Sequence, residues 1–459
     1  MADSRYTVVS LFSGAMGLDL GLHLTGRYEV LACVEREPVF CETIRANIDA
    51  GNLSPSIRVY ETDIRDLDPK RLLKDLQLSP GDLDLLVGGP PCQSFSTAGR
   101  RATVQDPRGT LIWEFIRFVK VLKPRAFLME NVRGLMSAAI RHRAISKRPH
   151  KGGPPLEPDE EPGSVVQLFA RDVGSLNGSS YRLDVFEVNA VNYGAPQLRE
   201  RVLFIGNRYN REVDFPNPTH GPSKSAATQN ELFEGQNTPP WRTLGTALEA
   251  LEEKDRVVMD FSPRKKHYLT LVPPGGNWRH LPVRIQKQSM GKAFFAKGGR
   301  SGWWRRLSYD LPCPTLVTMP NHASTSLCHP VEVRALSVQE YCRIQEFPDG
   351  WHVCGTPAQQ YAQIGNAVPV RLGRVAGEVI VMLLDKLKTS SWLREPGPSK
   401  PFRRIYIQSH VRTRQWFRNG EVFQWHDGLD NGKAIYTMPK TTRSSSLMIN
   451  RDRKNARKS

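Results

Sequence analysis

The sequence predicts an α/β fold: a doubly wound, mostly parallel sheet with a smaller irregular domain attached. Three observations predict it. In the first 135 residues, short apolar runs alternate with helical patterns, as βαβ units require. Residues 207–302 lose that alternation and become rich in Pro, Gly, Trp and basic side chains. Periodicity then returns at 336–345 and ends in a strongly amphipathic run over 368–387.

Taken in order, strands are expected at 7–12, 30–35, 57–61, 83–87 and 126–129, where β-branched and other apolar residues cluster. Helices are expected at 18–25, 38–50 and 111–122, where apolar residues recur with helical spacing. From 141 to 164 a basic run, a Gly-Gly-Pro-Pro stretch and an acidic run follow one another, which reads as a solvated loop. Strands resume at 182–191 and 201–205. The expected organisation is 1–206 as the cofactor-binding domain and 207–302 as the irregular domain. Residues 303–390 form a closing segment whose last helix returns to the first domain. Residues 391–459 form a basic extension behind a Pro-Gly-Pro linker.

The 459 residues carry 64 Lys/Arg against 46 Asp/Glu, a net charge of +18. A net +10 lies in residues 390–459, with 15 basic against 5 acidic side chains. Charge so unevenly spread points to a polyanionic partner, with nucleic acid first among them. Seven cysteines, an odd number without a C-x-x-C pair, argue against a disulfide framework and a structural zinc site. No leader and no 18-residue apolar run is present, so a cytoplasmic protein is expected, with no membrane and no metal.

After the first strand comes Phe12-Ser13-Gly14-Ala15-Met16-Gly17-Leu18, whose glycines permit a tight turn and close approach of a ligand to the helix start. Glu35, at the end of the second strand, is placed to accept hydrogen bonds from ribose hydroxyls. Asp63, after the third, could receive the amino group of adenine. The pattern is G-x-x-G without the further glycine of dinucleotide sites. A nucleoside without a pyrophosphate fits it better, and S-adenosylmethionine is one.

The run Gly88-Gly89-Pro90-Pro91-Cys92-Gln93-Ser94-Phe95-Ser96 sets one cysteine on a stiff turn directly after an apolar strand. A thiol held at a fixed point can serve as a nucleophile. A Pro-Pro-Cys turn read alone could equally carry a buried structural cysteine.

With Gly14, Gly17, Glu35, Asp63 and Pro91-Cys92 in this order, the chain resembles the DNA cytosine-5 methyltransferases. Further segments match that family: Asp106-x-Arg108-Gly109-Thr110-Leu111, Glu130-Asn131-Val132, Gln197-x-Arg199-x-Arg201, residues 334–348, and Gln363-Ile364-Gly365-Asn366. The resemblance spans about 6–388, omitting 207–302. It implies a methyltransferase-type Rossmann-like sheet, S-adenosylmethionine as cosubstrate, duplex DNA as partner, a monomer, and no metal. Cys92 is then the nucleophile toward carbon 6 of cytosine. Glu130 holds a proton at ring nitrogen 3, and Arg199 and Arg201 orient the base oxygen and that carboxyl group. Phe12, Gly14, Gly17, Glu35, Arg36, Asp63, Ile64, Leu111 and Asn366 fall on the family's cofactor-lining positions. Arg36 departs from the bulky apolar residue usual there. Without the family order, Glu130 could be a strand-end acid paired with an arginine. Gln197, Arg199 and Arg201 could mark an exposed edge strand, and Asn366 could cap the helix after it.

A cytosine in a duplex must be flipped out to reach a thiol. Residues 94–105 look like the family's mobile loop, so Gln93, Ser96, Arg100, Arg101 and Gln197 are the expected DNA contacts. Residues 207–302, with 15 basic and 9 acidic side chains, occupy the place of the target-recognition domain. The tail interleaves arginines with Trp392, Phe402, Tyr406, Trp416, Phe417 and Trp425, which suggests further DNA contact or a stabilising appendage. Because the chain begins almost at its catalytic core, the modification arm of a restriction system is expected. A tRNA-methylating relative and a silent DNA-binding regulator are the rival readings.

Overall fold

The computed structural model describes residues 5–91, 110–176, 180–221, 238–253, 255–295, 302–395 and 402–407, and two short paired strands at Phe423–Gln424 and Tyr436–Thr437. Its centre is an eight-stranded sheet. In chain order the strands are β1 (Tyr6–Leu11), β2 (Tyr28–Glu35), β3 (Arg58–Glu61), β4 (Leu85–Gly88), β5 (Ala126–Val132), β6 (Arg182–Asn189), β8 (Glu200–Asn207) and β10 (Arg403–Tyr406). The two-residue strands β7 (Gln197–Leu198) and β9 (Cys313–Pro314) pair with each other outside it. The spatial order is β10-β6-β8-β5-β4-β1-β2-β3. β1 pairs in parallel with both β2 and β4, while β8 runs antiparallel between β5 and β6. The expected mostly parallel, doubly wound sheet is present. Strand order reverses between β1 and β4, and in such sheets ligands bind beyond the carboxyl ends at that reversal.

Alternating side chains feed two cores. Val9, Leu11, Val34, Leu86, Phe127 and Met129 face one side, under helices α3 (Pro69–Asp75), α4 (Leu111–Leu122) and α5 (Ser164–Gly174). Val8, Val30, Leu85, Val87 and Leu128 face the other, with α1 (Gly17–His23), α2 (Pro38–Asp49) and α11 (Val370–Thr389). β1, β2 and β4 are buried on both faces, which is why their sequences read as unbroken apolar runs. No helix among the described residues is long and apolar enough to cross a membrane.

A third cluster joins Phe261, Tyr268, Leu269, Trp278, Met290, Trp304, Cys328 and Ala335 around α7 (Pro263–Thr270) and α8 (Val283–Met290). It draws on residues from both sides of position 302. Leu244 and Ala247, on α6 (Leu244–Leu248), pack instead into the core beside α11.

One segment differs from expectation, and one carries more structure than its sequence suggests. The basic extension expected from 391 starts within the fold. The Trp392 ring lies 5.7 Å from that of Tyr209, with the Arg125 guanidinium 4.2 Å from the Trp392 centroid. Further on, β10 pairs in parallel with β6. The cause is charge as well as apolar contact: Arg403 meets the fully buried Asp184 at 2.8 Å, and Arg404 meets the buried Glu187 at 2.6 Å. The loop over 141–164 is largely exposed, as expected, and is also stapled internally by Arg141 on Asp159 and Arg143 on the buried Glu160.

Candidate active site

Above the carboxyl end of β4 the chain turns through Gly89, Pro90 and Pro91. Asn131, at the end of β5, donates its side-chain amide to the Pro90 carbonyl at 3.1 Å and so fastens the turn to the neighbouring strand. Glu130 precedes it and is 8% exposed. One carboxylate oxygen, Oε1, lies 2.6 Å from Arg201 Nε, across the antiparallel β5–β8 pair. A Cβ on Gly89 would lie 3.4 Å from the other oxygen, Oε2, which therefore sits directly at the Pro-Pro turn. Cys92 follows Pro91 and lies outside the described residues, as do Gln93, Ser96, Arg100 and Arg101.

The ends of β1, β2 and β3 continue the same rim of the sheet beyond β4. Glu35 accepts the backbone N–H of Gly14 through Oε2 at 2.8 Å, and those of Arg36 and Glu37 through Oε1 at 2.8 and 2.9 Å. It thereby ties the turn after β1 to the end of β2. Phe12 and Met16 take positive φ values of 56° and 65°, and Gly14 takes 55°. The nearest atom to a Cβ on Gly14 would be the Phe12 carbonyl oxygen at 4.0 Å, so the space over this glycine is open. Gly17 has another reason: a Cβ there would stand 2.3 Å from the Val368 carbonyl, so its absence lets the chain before α11 lie on α1.

Asp63 follows β3 on this rim, with its carboxylate forked onto the exposed Arg65, at 2.9 and 2.6 Å. Those hydrogen bonds hold its carboxyl well below the usual carboxylate range. Arg36 is exposed, bonds Glu37, and reaches Asp63 at 3.7 Å. Ile64 is buried, while Phe12 and Leu111 are half-buried at the same end of the sheet. The open glycine, the strand-end carboxylates and the apolar wall fit an adenosine-bearing cosubstrate. Among the described residues no group of three or more His, Cys, Asp or Glu is placed to hold a metal.

The family model of the C-5 cytosine-specific DNA methylases matches residues 6–147 and 160–382. The chain belongs to that family. The methylase is 37% identical over 388 residues to the Type II methyltransferase M.PspPI of Psychrobacter sp. (strain TA137), covering 83% of this chain and 80% of the relative. It is also 37% identical over 399 residues to the Type II methyltransferase M.Eco47II of Escherichia coli, covering 84% and 81%. The fold is similar to that of a prophage-encoded E. coli protein described as a DNA modification methyltransferase, with TM-score 0.53, 22% identity, and 83% and 100% coverage. The protein is a DNA cytosine-5-methyltransferase.

Other expected site residues of the methylase are placed differently. Arg199 makes its hydrogen bonds to backbone carbonyls and none to Glu130 among the described residues. It is 1% exposed and donates to the carbonyls of Leu316, Gly365, Asn366 and Ala367 at 2.8–3.3 Å. It fastens the ends of two later segments to the strand that carries Arg201. Gln197, expected at the DNA surface, is fully buried and donates to Gln345 Oε1 at 2.6 Å. Its strand is covered because β7 pairs with β9 and sits under α9 (Val338–Ile344). Asn366 is exposed and ends α10 (Pro357–Asn366); it does not cap α11, whose N-cap is Pro369. Its backbone carbonyl is one of the four that Arg199 holds.

Sequence reasoning passed over Asp19. This carboxyl group is 2% exposed in the first turn of α1, and its Oδ1 has no hydrogen-bond partner among the described residues. Burial pushes it up to about 6, against a smaller opposing effect of the Ser10 hydroxyl. Burial also pushes the thiols of Cys41, Cys313, Cys328 and Cys342 up to about 12, which leaves each of them unreactive at neutral pH.

Proposed function

We propose that the methylase transfers a methyl group from S-adenosylmethionine to carbon 5 of a cytosine flipped out of a specific duplex DNA sequence, through a covalent adduct of Cys92 with carbon 6. The observation that carries this reading is the Glu130–Arg201 pair set against the Pro90–Pro91 turn. Cys92 follows Pro91 directly in the chain, and the closeness of this turn to Glu130 Oε2 supports the reading.

Carbon 5 of cytosine is a weak nucleophile until carbon 6 is attacked. Cys92 thiolate forms the S–C6 bond, and the ring electrons move toward nitrogen 3. Glu130 holds a proton there, so the charge that develops is neutralised. Arg201 fixes the carboxyl plane through Oε1 and leaves Oε2 for the base. The cosubstrate, when bound, supplies an electrophilic methyl group on a sulfonium. Glu35 would hold its ribose, and Asp63, after exchanging its Arg65 partner, its adenine amino group. After methylation carbon 5 loses its proton, and elimination of the thiolate restores the aromatic ring. Arg199 supports this site from behind as a positioning residue, through the carbonyls of 365–367. Resemblance to Type II methyltransferases supports a role in protecting host DNA within a restriction system.

The test is tritiated-methyl transfer to duplex DNA, tRNA or neither, with wild-type enzyme and Cys92→Ser. Transfer to duplex by the wild type, lost in the variant while DNA binding persists, is the expected result. Duplex containing 5-fluorocytosine should trap Cys92 alone. A Cys92→Ser enzyme within tenfold of wild type would overturn the adduct.

A further inference from the structure

We infer that the excursion over residues 139–163, between β5 and α5, is a built arm that grips the DNA phosphate backbone beside the target cytosine. The inference rests on the DNA-methylating reading above. Residues 148–159 fall between the two stretches matched by the family model, so this part of the arm is an addition to the common scaffold.

The ends of the arm close on each other: the backbone N–H groups of Gly163 and Val165 both donate to the Ala138 carbonyl, at 3.1 and 3.4 Å. Within it, Arg143 pairs with Glu160 and donates Nη1 to the carbonyls of Pro154 and Pro155, at 2.7 and 2.9 Å. Arg141 forks onto Asp159 at 3.0 and 3.1 Å. Two acids of the 157–161 run are thereby consumed by two of the arginines. Long connections without sheet pairing are ordinarily either functional or disordered, and this one is stapled shut.

The remaining cations sit together. Lys147, Arg148 and Lys151 have no carboxylate within ion-pair reach among the described residues, and Lys147 and Lys151 are exposed. Lys147 and Lys151 lie on two short 3-10 turns, Ile145–Lys147 and Pro149–Lys151, with Arg148 between them, wound so tightly that a Cβ on Gly153 would fall 2.0 Å from the Lys147 carbonyl oxygen. This knot presents its charges from a fixed backbone. The arm also leaves from the carboxyl end of β5, the strand end that carries Glu130 and Asn131. Duplex DNA offering a base to Glu130 must run across this rim of the sheet. Lysines without carboxylate partners on an arm rooted there meet phosphates, which they bind as point charges without reading sequence.

The experiment is equilibrium binding of Lys147→Ala/Lys151→Ala to specific and scrambled duplexes over a range of salt. Affinity should fall alike for both duplexes, and the slope of log affinity against log salt should flatten by about 0.9 per lost contact. Cosubstrate affinity and turnover at saturating DNA should stay at the wild-type level, and the Lys→Arg pair should restore the slope. If the wild type methylates duplex DNA while the alanine pair keeps its salt slope, the arm is overturned and the methylase reading stands. If the wild type does not methylate duplex DNA at all, the reading beneath both is overturned.

Discussion

Arg201 Nε sits 2.6 Å from Glu130 Oε1, and the two side chains come from adjacent antiparallel strands, with Val132 opposite Arg201 in the register. The pair therefore needs no loop to bring it together. Each side chain is about nine-tenths buried, so neither group can turn to water without moving the strands. Glu130 is presented to a base from a rigid sheet, as a group that must meet the ring nitrogen within hydrogen-bond reach requires.

Glu130→Gln should lower turnover by about 10²–10⁴-fold while leaving cosubstrate affinity unchanged, because only the attacked base needs the proton. Arg201→Ala should in addition lose about 3–5 kcal/mol of stability, since it leaves Glu130 buried without its partner. Single-turnover kinetics and thermal unfolding separate the two effects. A Glu130→Gln enzyme with altered cosubstrate binding and intact chemistry would move this residue to the other pocket.

Glu35→Ala and Asp63→Ala should each weaken cosubstrate binding by about 1–3 kcal/mol, the range for hydrogen bonds lost from a bound polar ligand. They differ in stability. Glu35 holds three backbone N–H groups and its loss should loosen the turn at Gly14. Asp63 holds only the exposed Arg65 besides Arg36, and its loss should leave the melting temperature nearly unchanged. Calorimetry with both variants checks this; unchanged affinity in both would mean the adenosine pocket lies elsewhere.

The centre of the sheet was legible because β1, β2 and β4 are buried on both faces, and a run such as Leu83-Asp84-Leu85-Leu86-Val87 admits few other readings. Among the described residues six helices passed unnoticed, three of them with starts that can be read in the chain. Asp68-Pro69 caps α3, Thr356-Pro357 with Gln359 forms a capping box on α10, and Ser164 opens α5 behind the arm. Residue type located Glu130 and Arg201 but could not separate Arg199 from Arg201. They stand only two residues apart in the chain, and the arrival of 316 and 365–367 from distant sequence decides which of them meets carbonyls. Gln197 misled for the same reason. A polar residue on a two-residue strand reads as exposed until β9 and α9 are known to cover it.

Asp19 should give the methylase a distinct pH dependence of stability. Its carboxyl group is raised from 3.8 to about 6 by burial, so between these pH values the folded chain keeps a proton that the unfolded chain has released. Stability from this group is therefore lost as pH rises from about 4 to about 6, and the full cost, about 3 kcal/mol, applies above pH 6. Asp19→Asn removes that window. Its melting temperature should exceed wild type at pH 7.5, and the difference should shrink toward pH 4.5. An unchanging difference across this range would mean the group titrates normally.

Two truncations test where the fold ends. Removing 408–459 should leave stability and cosubstrate binding near wild type, because β10 and its arginines remain. Removing 391–459 takes away Trp392 from its place against Tyr209 and Arg125, the edge strand on β6, and the arginines that neutralise Asp184 and Glu187. Asp184 would keep only Arg182, at 3.6 Å, and the Val213 N–H, while Glu187 would keep Arg133. Leaving buried carboxylates short of a counter-charge typically costs about 3–5 kcal/mol, a large part of the stability of a whole domain. The longer deletion should therefore melt far below the shorter one, or fail to accumulate as soluble enzyme. Equal melting temperatures would show that β10 is only laid on the sheet. In the shorter truncation, a flatter salt dependence of DNA binding with unchanged sequence preference would assign residues 408–459 to phosphate contact. An unchanged slope would leave them no part in holding DNA.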